Sequence, residues 1–262
     1  MLYLIGLGLN DEKDMTLRGL ETVKKCEKIY LENYSSALIG CSIEDLEKSY
    51  GKKITVAERE LVEQSEEIVA EAQTKDVALL VIGDSLAATT HLDIMMRAKE
   101  KNVPVKVIHN ASILTAVGIT GLQLYKFGKT VTIPYPEVNF KPEMYYEVLK
   151  QNKILGLHTL LLLDLKPAEK RFMTIAEAID LLLEIENKRK EQVFSLETQC
   201  IGCARLGSET QKVITGTAKE LKNADFGSSP YCLIVPGELH FMEEEAIKKG
   251  LIDEKTDAKQ KI

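Results

Sequence analysis

The chain has 262 residues, enough for one large or two medium domains, because single hydrophobic cores stop growing at roughly 250–300 residues. Hydrophobic residues make up 45% and charged residues 28%, the balance of a chain that can bury a core and not of a disordered or fibrous one. With 34 Lys and Arg against 40 Asp and Glu, the net charge of −6 supplies no broad positive field for a phosphate backbone, so nucleic acid is not expected as the main partner.

The first residues, Met1-Leu2-Tyr3-Leu4-Ile5-Gly6, carry no basic segment and reach glycine after a few apolar positions. That pattern fits neither a signal peptide nor a membrane span, and a cytoplasmic protein without membrane contact is expected. The five cysteines, Cys26, Cys41, Cys200, Cys203 and Cys232, are scattered and read as reduced thiols rather than a disulfide framework.

In chain order, residues 2–5 predict a strand closed by Gly6, and Thr16 predicts the cap of a helix carrying Leu17, Leu20 and Val23. Strands follow at 29–31 and 54–56, and helices at 43–50 and 62–72, the last carrying Val62, Ile68, Val69 and Ala72. The unbroken apolar run 77–82 predicts a strand covered on both faces, ended by Gly83-Asp84-Ser85. A helix over about 89–101, a strand at 105–108 and a helix from Ile113 to about Leu122 complete an alternation that implies a mostly parallel sheet flanked by helices. The rhythm breaks at Phe127-Gly128-Lys129, and Pro134, Pro136 and Pro142 mark turns beside a strand at 130–133. Two α/β domains are therefore expected, 1–127 and 128–262.

The second half reads as an apolar strand at 159–163 ending in Asp164, then a helix to about Lys188 opened by Thr174 and Glu177 at capping-box spacing. Strands at 198–204, 212–215 and 232–235 and a helix at 238–249 follow. The charged tail from Asp253 is expected to fray.

Three strand ends could carry chemistry. The Gly6-Leu7-Gly8 turn lacks the third glycine of a dinucleotide fingerprint, since position 11 is Asp11; a tight turn and a close backbone approach to a ligand both stay open. Gly83 to His91 begins where α/β sheets bind ligands, beyond the carboxyl end of a strand, although Asp84 or Ser85 could simply cap the next helix. Asn110-Ala111-Ser112-Ile113 has the same strand-to-helix position, and Leu163-Asp164 is the third such end.

His91, His109, His158 and His240 show no metal-binding spacing and read as structural or surface residues. Cys200-Ile201-Gly202-Cys203 resembles half a zinc site, but no second pair exists and a strand points positions three apart to opposite faces. No metal site is expected.

Leu4-Ile5-Gly6-Leu7-Gly8-Leu9, Asp14-Met15-Thr16 and Ala88-Thr89-Thr90-His91 resemble the diphthine synthases. So do Val107-Ile108-His109-Asn110-Ala111-Ser112-Ile113, Leu124 to Lys129 and Gly156 to Leu160. The resemblance runs in order along nearly the whole chain. It implies two α/β domains of the tetrapyrrole-methylase type, a methyl donor, S-adenosyl-L-methionine, held in the cleft between them, and a homodimer. Carried over position by position, it assigns the donor site to Leu9, Asp84, Ala87, Ser112, Ile113, Leu163, Leu206 and Tyr231. Ser85 stands where the family often has proline, and Tyr231 where many members have histidine.

The implied reaction methylates, repeatedly, the amine of an aminocarboxypropyl group on a histidine of translation elongation factor 2, releasing S-adenosyl-L-homocysteine. In-line transfer from a sulfonium needs geometry and dryness more than charge stabilisation, no side chain stands out as a dedicated base, and no residue is designated catalytic. A tetrapyrrole-precursor methyltransferase and a non-catalytic nucleotide-binding module are the alternatives. The lack of a long insertion after Lys166 leans towards members that stop at the trimethylammonium, while Asn110-Ala111-Ser112-Ile113 looks equally like members that also form a methyl ester.

Overall fold

The computed structural model describes residues 1–34, 36, 38–137 and 141–249, so the tail from Asp253 lies outside the described residues. Contacts divide the chain into two units, one of Met1–Ala116 with Lys166–Lys170, the other of Val117–Leu165 and the chain from Arg171 on. The divide falls after Ala116 rather than after Phe127 because the intervening segment is bonded into the second unit. Gln123 N donates to Glu243 Oε1 at 2.8 Å, Gly128 N to His158 O at 2.9 Å, and His158 N to Lys126 O at 3.0 Å.

In the first unit the elements are β1 (Leu2–Gly6), α1 (Leu17–Lys25), β2 (Lys28–Glu32), α2 (Ile43–Tyr50) and β3 (Thr55–Ala57). They continue with α3 (Arg59–Glu63), α4 (Glu67–Ala72), β4 (Val77–Val81), α5 (Leu92–Glu100), β5 (Val105–Ile108) and the single turn α6 (Ile113–Ala116). The strands lie in the order β3-β2-β4-β1-β5 and every pair is parallel, as the alternation predicts. β4 is central and fully buried, which explains its unbroken apolar run. Its Leu79 joins a core with Val62, Ile68, Val69 and Ile94 of α3, α4 and α5, while Ala78 and Leu80 join one with Val23, Leu46 and Tyr50 of α1 and α2. Helices thus cover both faces.

Three predicted helices differ in extent. The stretch 62–72 is two helices because Gln64-Ser65-Glu66 interrupts the apolar stripe. Ser65 Oγ accepts from Glu67 N at 3.1 Å, and the Arg97 guanidinium takes the carbonyls of Val62 and Ser65 that the break releases. Residues 89–91 stay in the loop, and α6 gives way at Val117 to the 3-10 turn Val117–Thr120, with Gly121 at φ +80° ending the run.

The second unit contains β6 (Val131–Ile133), α7 (Met144–Ile154), β7 (Thr159–Leu163) and α8 (Ile175–Arg189), with β8 (Leu165–Lys166) where the chain leaves it for residues 166–170 and β9 (Arg171–Phe172) where it returns. β10 (Gln199–Ala204), β11 (Lys212–Thr217), α9 (Ala218–Lys222), β12 (Tyr231–Val235) and α10 (Phe241–Lys248) complete it. Its sheet, β11-β10-β12-β7-β6, is mixed: only β6 and β7 run parallel. Leu161, Leu163, Leu233 and Val235 pack against Tyr146 and Leu149 of α7 and Ile179 and Leu182 of α8 in one core. The predicted capping box forms, with Glu177 N donating to Thr174 Oγ1 at 3.2 Å and Thr174 N to Glu177 Oε2 at 2.7 Å. Among the described residues no helix is long and apolar enough to cross a membrane.

Candidate functional site: the strand-end loops

Because β1 lies between β4 and β5 and all three run parallel, their carboxyl ends emerge side by side. The loops that follow are stitched by backbone. Leu7 N donates to Val81 O at 2.8 Å, and Gly8 and Gly83 exchange hydrogen bonds, Gly83 N to Gly8 O at 2.7 Å and Gly8 N to Gly83 O at 3.2 Å. Both glycines have positive φ, +87° and +80°, so the first turn is the tight strand-end turn that glycine permits. A side chain at Gly6 would bring its Cβ within 2.6 Å of Gly83 O and 2.8 Å of Asn110 Cβ, which is why backbone alone fits there.

Leu9, Asp84, Ala87 and Ser112 lie on these three loops and Ile113 opens α6 directly after the third, so the structure brings together the five first-unit residues of the expected site. The conformation of the Leu9 loop is set by Asp14, whose Oδ2 accepts from Leu9 N at 3.0 Å and Asn10 N at 2.7 Å. A Cβ added at Gly83 would lie 3.9 Å from Ala111 O and Ser112 Cα, so the Gly83 backbone packs close to the turn that carries Ser112.

Asp84 does not cap a helix. α5 begins at Leu92, its cap position is His91, and no side chain closes it. Instead Asp84 Oδ1 accepts from Leu86 N at 2.9 Å, turning its own loop, while Oδ2 accepts from Asn110 N and from the His109 ring, both at 2.9 Å. Burial raises the carboxyl's pKa, but the Leu86 and Asn110 N–H groups and the His109 ring outweigh it and hold Asp84 below the usual aspartate range. The carboxylate is therefore ionised and shared between two loops. Ser85 caps nothing either: its hydroxyl is buried and has no hydrogen-bond partner among the described residues.

The remaining expected residues collect at one end of the second unit's sheet. Cys232 pairs with Leu162 and Ala204 with Tyr231, which sets Leu163, Tyr231 and Leu206 close along that edge. Arg205, at φ +49° just after β10, is buried and donates to Thr210 O at 2.7 Å, Phe226 O at 2.8 Å and Ser228 O. It fixes the loop of Leu206 to the loop that precedes Tyr231. The Tyr231 hydroxyl donates to Gly227 O at 2.5 Å, so its polar tip is engaged within the loop.

The other sequence candidates are structural. His91 Nδ1 sits 3.0 Å from Ser85 O, and His158, wholly buried, accepts from Gly237 N and donates to Glu243 Oε1 at 2.9 Å. All five cysteines are free; Cys200 belongs to the core, and burial pushes its thiol up to about 12. Cys203 lies directly across from Cys232. No group of three or more His, Cys, Asp or Glu among the described residues could hold a metal ion. Asn110, Asp14 and Arg205 are the functional-looking residues that pattern reading did not single out. Asn110 stands inside a strand end that the sequence marks as able to carry chemistry, where Ser112 is the residue carried forward, Asp14 stands inside a motif quoted for the family resemblance, and Arg205 carries no local signal.

Residues 1–222 match the model of the tetrapyrrole (corrin/porphyrin) methylases. The diphthine synthase of Methanocaldococcus jannaschii is 50% identical, over 95% of this chain and 98% of its own. The diphthine methyl ester synthase of Dictyostelium discoideum is 48% identical, over 94% of this chain and 96% of its own. A crystal structure of a diphthine synthase superposes with a TM-score of 0.86 at 37% identity, covering 95% of this chain and 94% of that one. The α/β fold is thus that of a methylase, and the chain belongs to the diphthine synthase family within the tetrapyrrole methylases.

Proposed function

We propose that this protein transfers methyl groups from S-adenosyl-L-methionine to the amine of the aminocarboxypropyl-histidine of translation elongation factor 2. The observation that carries this reading is similarity at 50% identity over 95% of the chain to an enzyme named for that product. A tetrapyrrole precursor as acceptor is disfavoured by the same similarity, which extends well beyond the 222 residues common to the methylases at large.

The donor is taken to be held by Leu9, Asp84, Ala87, Ser112 and Ile113 of the first unit and Leu163, Leu206 and Tyr231 of the second. In support, the first five lie on three joined loops and the start of α6, and the last three at one sheet end. The mixture suits an adenosyl ligand. Leu9, Ala87, Ile113 and Leu163 offer apolar contact, and Ser112 and the glycine-lined backbone offer short polar groups. When bound, the donor supplies a methyl on a sulfonium that departs as a neutral thioether.

The chain's own part is to place and to dry. Apolar side chains disfavour the ammonium form of the acceptor amine and free its lone pair, and loops locked by Asp84 and Asp14 fix the approach line. Ionised Asp84 adds a negative charge to the donor loop, which favours a sulfonium.

Intact-mass measurement of elongation factor bearing the aminocarboxypropyl histidine, before and after incubation with this protein and donor, tests the reading. Mass should rise in methyl steps, and the number of steps separates a trimethylated product from one that also carries a methyl ester. An unchanged mass with the donor bound would sink the proposed acceptor.

A further inference from the structure

We infer that Asn110 is a positioning residue for the methyl donor, holding the Leu9 loop and the Ser112–Ile113 turn at their binding separation; this rests on the donor site proposed above. One Asn110 side chain reaches two other segments. Its Nδ2 donates to Gly6 O, the last residue of β1, at 2.9 Å and to Asp14 O at 3.0 Å, while its Oδ1 accepts from Ala111 N at 2.7 Å. Its backbone N donates to Asp84 Oδ2 at 2.9 Å. Four hydrogen bonds at a single residue therefore join the ends of β1, β4 and β5 and the loop of Asp14.

The chain of cause runs through Asp14. Asp14 binds the N–H groups of Leu9 and Asn10 with its carboxylate, and its own carbonyl is held by Asn110, so the position of Leu9 is referred to that of Ser112 through two side chains. The amide is the group this place requires. It must give two N–H bonds to carbonyls on one side and accept one on the other, which neither a carboxylate nor a hydroxyl can do. Gly6 completes the fit, because any Cβ there would strike Asn110. Asn110 touches the donor site only through backbone it organises, so its contribution is to preorganise donor binding and not to take part in bond making.

Steady-state kinetics with varied donor, together with calorimetric titration of S-adenosyl-L-homocysteine, tests this on Asn110→Ala and on the milder Asn110→Ser, which keeps one donor and serves if the alanine variant does not fold. The expected result is a donor KM and a product Kd raised on the order of tenfold in Asn110→Ala and less in Asn110→Ser, with kcat at saturating donor within about threefold of the parent. Asn152→Ala is the control for a merely structural effect. Asn152 is a buried amide of the second unit that bonds Lys129 N, Lys129 O and Thr159 Oγ1, and its loss should lower the melting temperature without moving donor KM. Equal shifts in the Asn110 and Asn152 variants, or an unchanged product Kd in folded Asn110 variants, overturn the positioning role. Failure of the parent protein itself to bind S-adenosyl-L-homocysteine overturns instead the donor reading on which it rests.

Discussion

Asp84 uses both carboxylate oxygens on neighbours, and that decides what its removal does. Asp84→Ala leaves the Leu86 and Asn110 N–H groups without their charged acceptor in a partly buried loop, a loss of about 1–3 kcal/mol of stability. The donor should also bind more weakly, because the two loops it joins carry Ala87 and Ser112. Asp84→Asn keeps one full acceptor and should fall between parent and alanine. Urea unfolding at pH 7 with calorimetric titration of the product checks both effects, and a variant as stable as the parent would show that those bonds contribute nothing net. The carboxyl is held below the aspartate range, so its stabilisation is complete above the unfolded-state value of about 3.9 and is lost only as pH falls through the lower folded value. Stability differences between parent and variant should therefore not vary from pH 6 to 8 on its account. The sequence marked Asp84 as important but not how, because a capping Asp and a loop-linking Asp look alike until the partner strand is known. Arg205 was beyond reach for the same reason: its acceptors Phe226 and Ser228 meet it only after β10 and β12 pair.

The helix that closes the second unit, α10, is anchored by one buried acid. Glu243 accepts from Lys126 Nζ at 2.5 Å, Gln123 N at 2.8 Å, His158 Nε2 at 2.9 Å and His240 N at 2.7 Å. Burial raises its pKa, but these four donors outweigh it and hold the carboxyl at about 2. Glu243→Ala strands a lysine, a histidine and two N–H groups, and should cost about 3–5 kcal/mol in urea unfolding. His158 adds a separate pH window. Burial lowers its pKa despite the Glu243 carboxylate, so the folded chain favours the neutral ring, and the contribution is present above about 6.5 and drains away below. Between pH 7 and pH 5 the fall in stability should be shallower in His158→Gln than in the parent, even where the variant is less stable overall; parallel slopes would remove His158 as the cause. The anchor was only half legible. The Thr174–Glu177 capping box follows the usual residue preferences, whereas His240, which caps α10 in the same reciprocal way with Glu243, is not a usual cap residue. The helix read as 62–72 was right in its apolar positions and wrong in its continuity, since the break depends on Arg97 from α5 to satisfy the freed carbonyls.

At the scale of the whole chain, the two units differ in how plainly their sequence states their topology. Strand-helix alternation, with β4 apolar throughout, leaves the first unit little choice but a parallel sheet with two covered faces. In the second unit, α7 hides its period by clustering Tyr145, Tyr146, Val148 and Leu149 and burying polar Asn152, and the antiparallel pairing of β10 with β11 and β12 follows from turns and not from pattern. The proposed donor residues are divided between these units, five in the first and three in the second, and that division can be read directly. A ligand that binds only the native state adds about 2.7 kcal/mol at one hundred times its Kd. If Leu163, Leu206 and Tyr231 bind the donor, hydrogen exchange at saturating S-adenosyl-L-homocysteine should slow in residues 203–210 and 226–232 as well as in residues 6–10, 83–88 and 109–114. Protection confined to the first unit would return the donor to Leu9, Asp84, Ala87, Ser112 and Ile113 alone, and would leave the Arg205 loops as framework for something other than the donor.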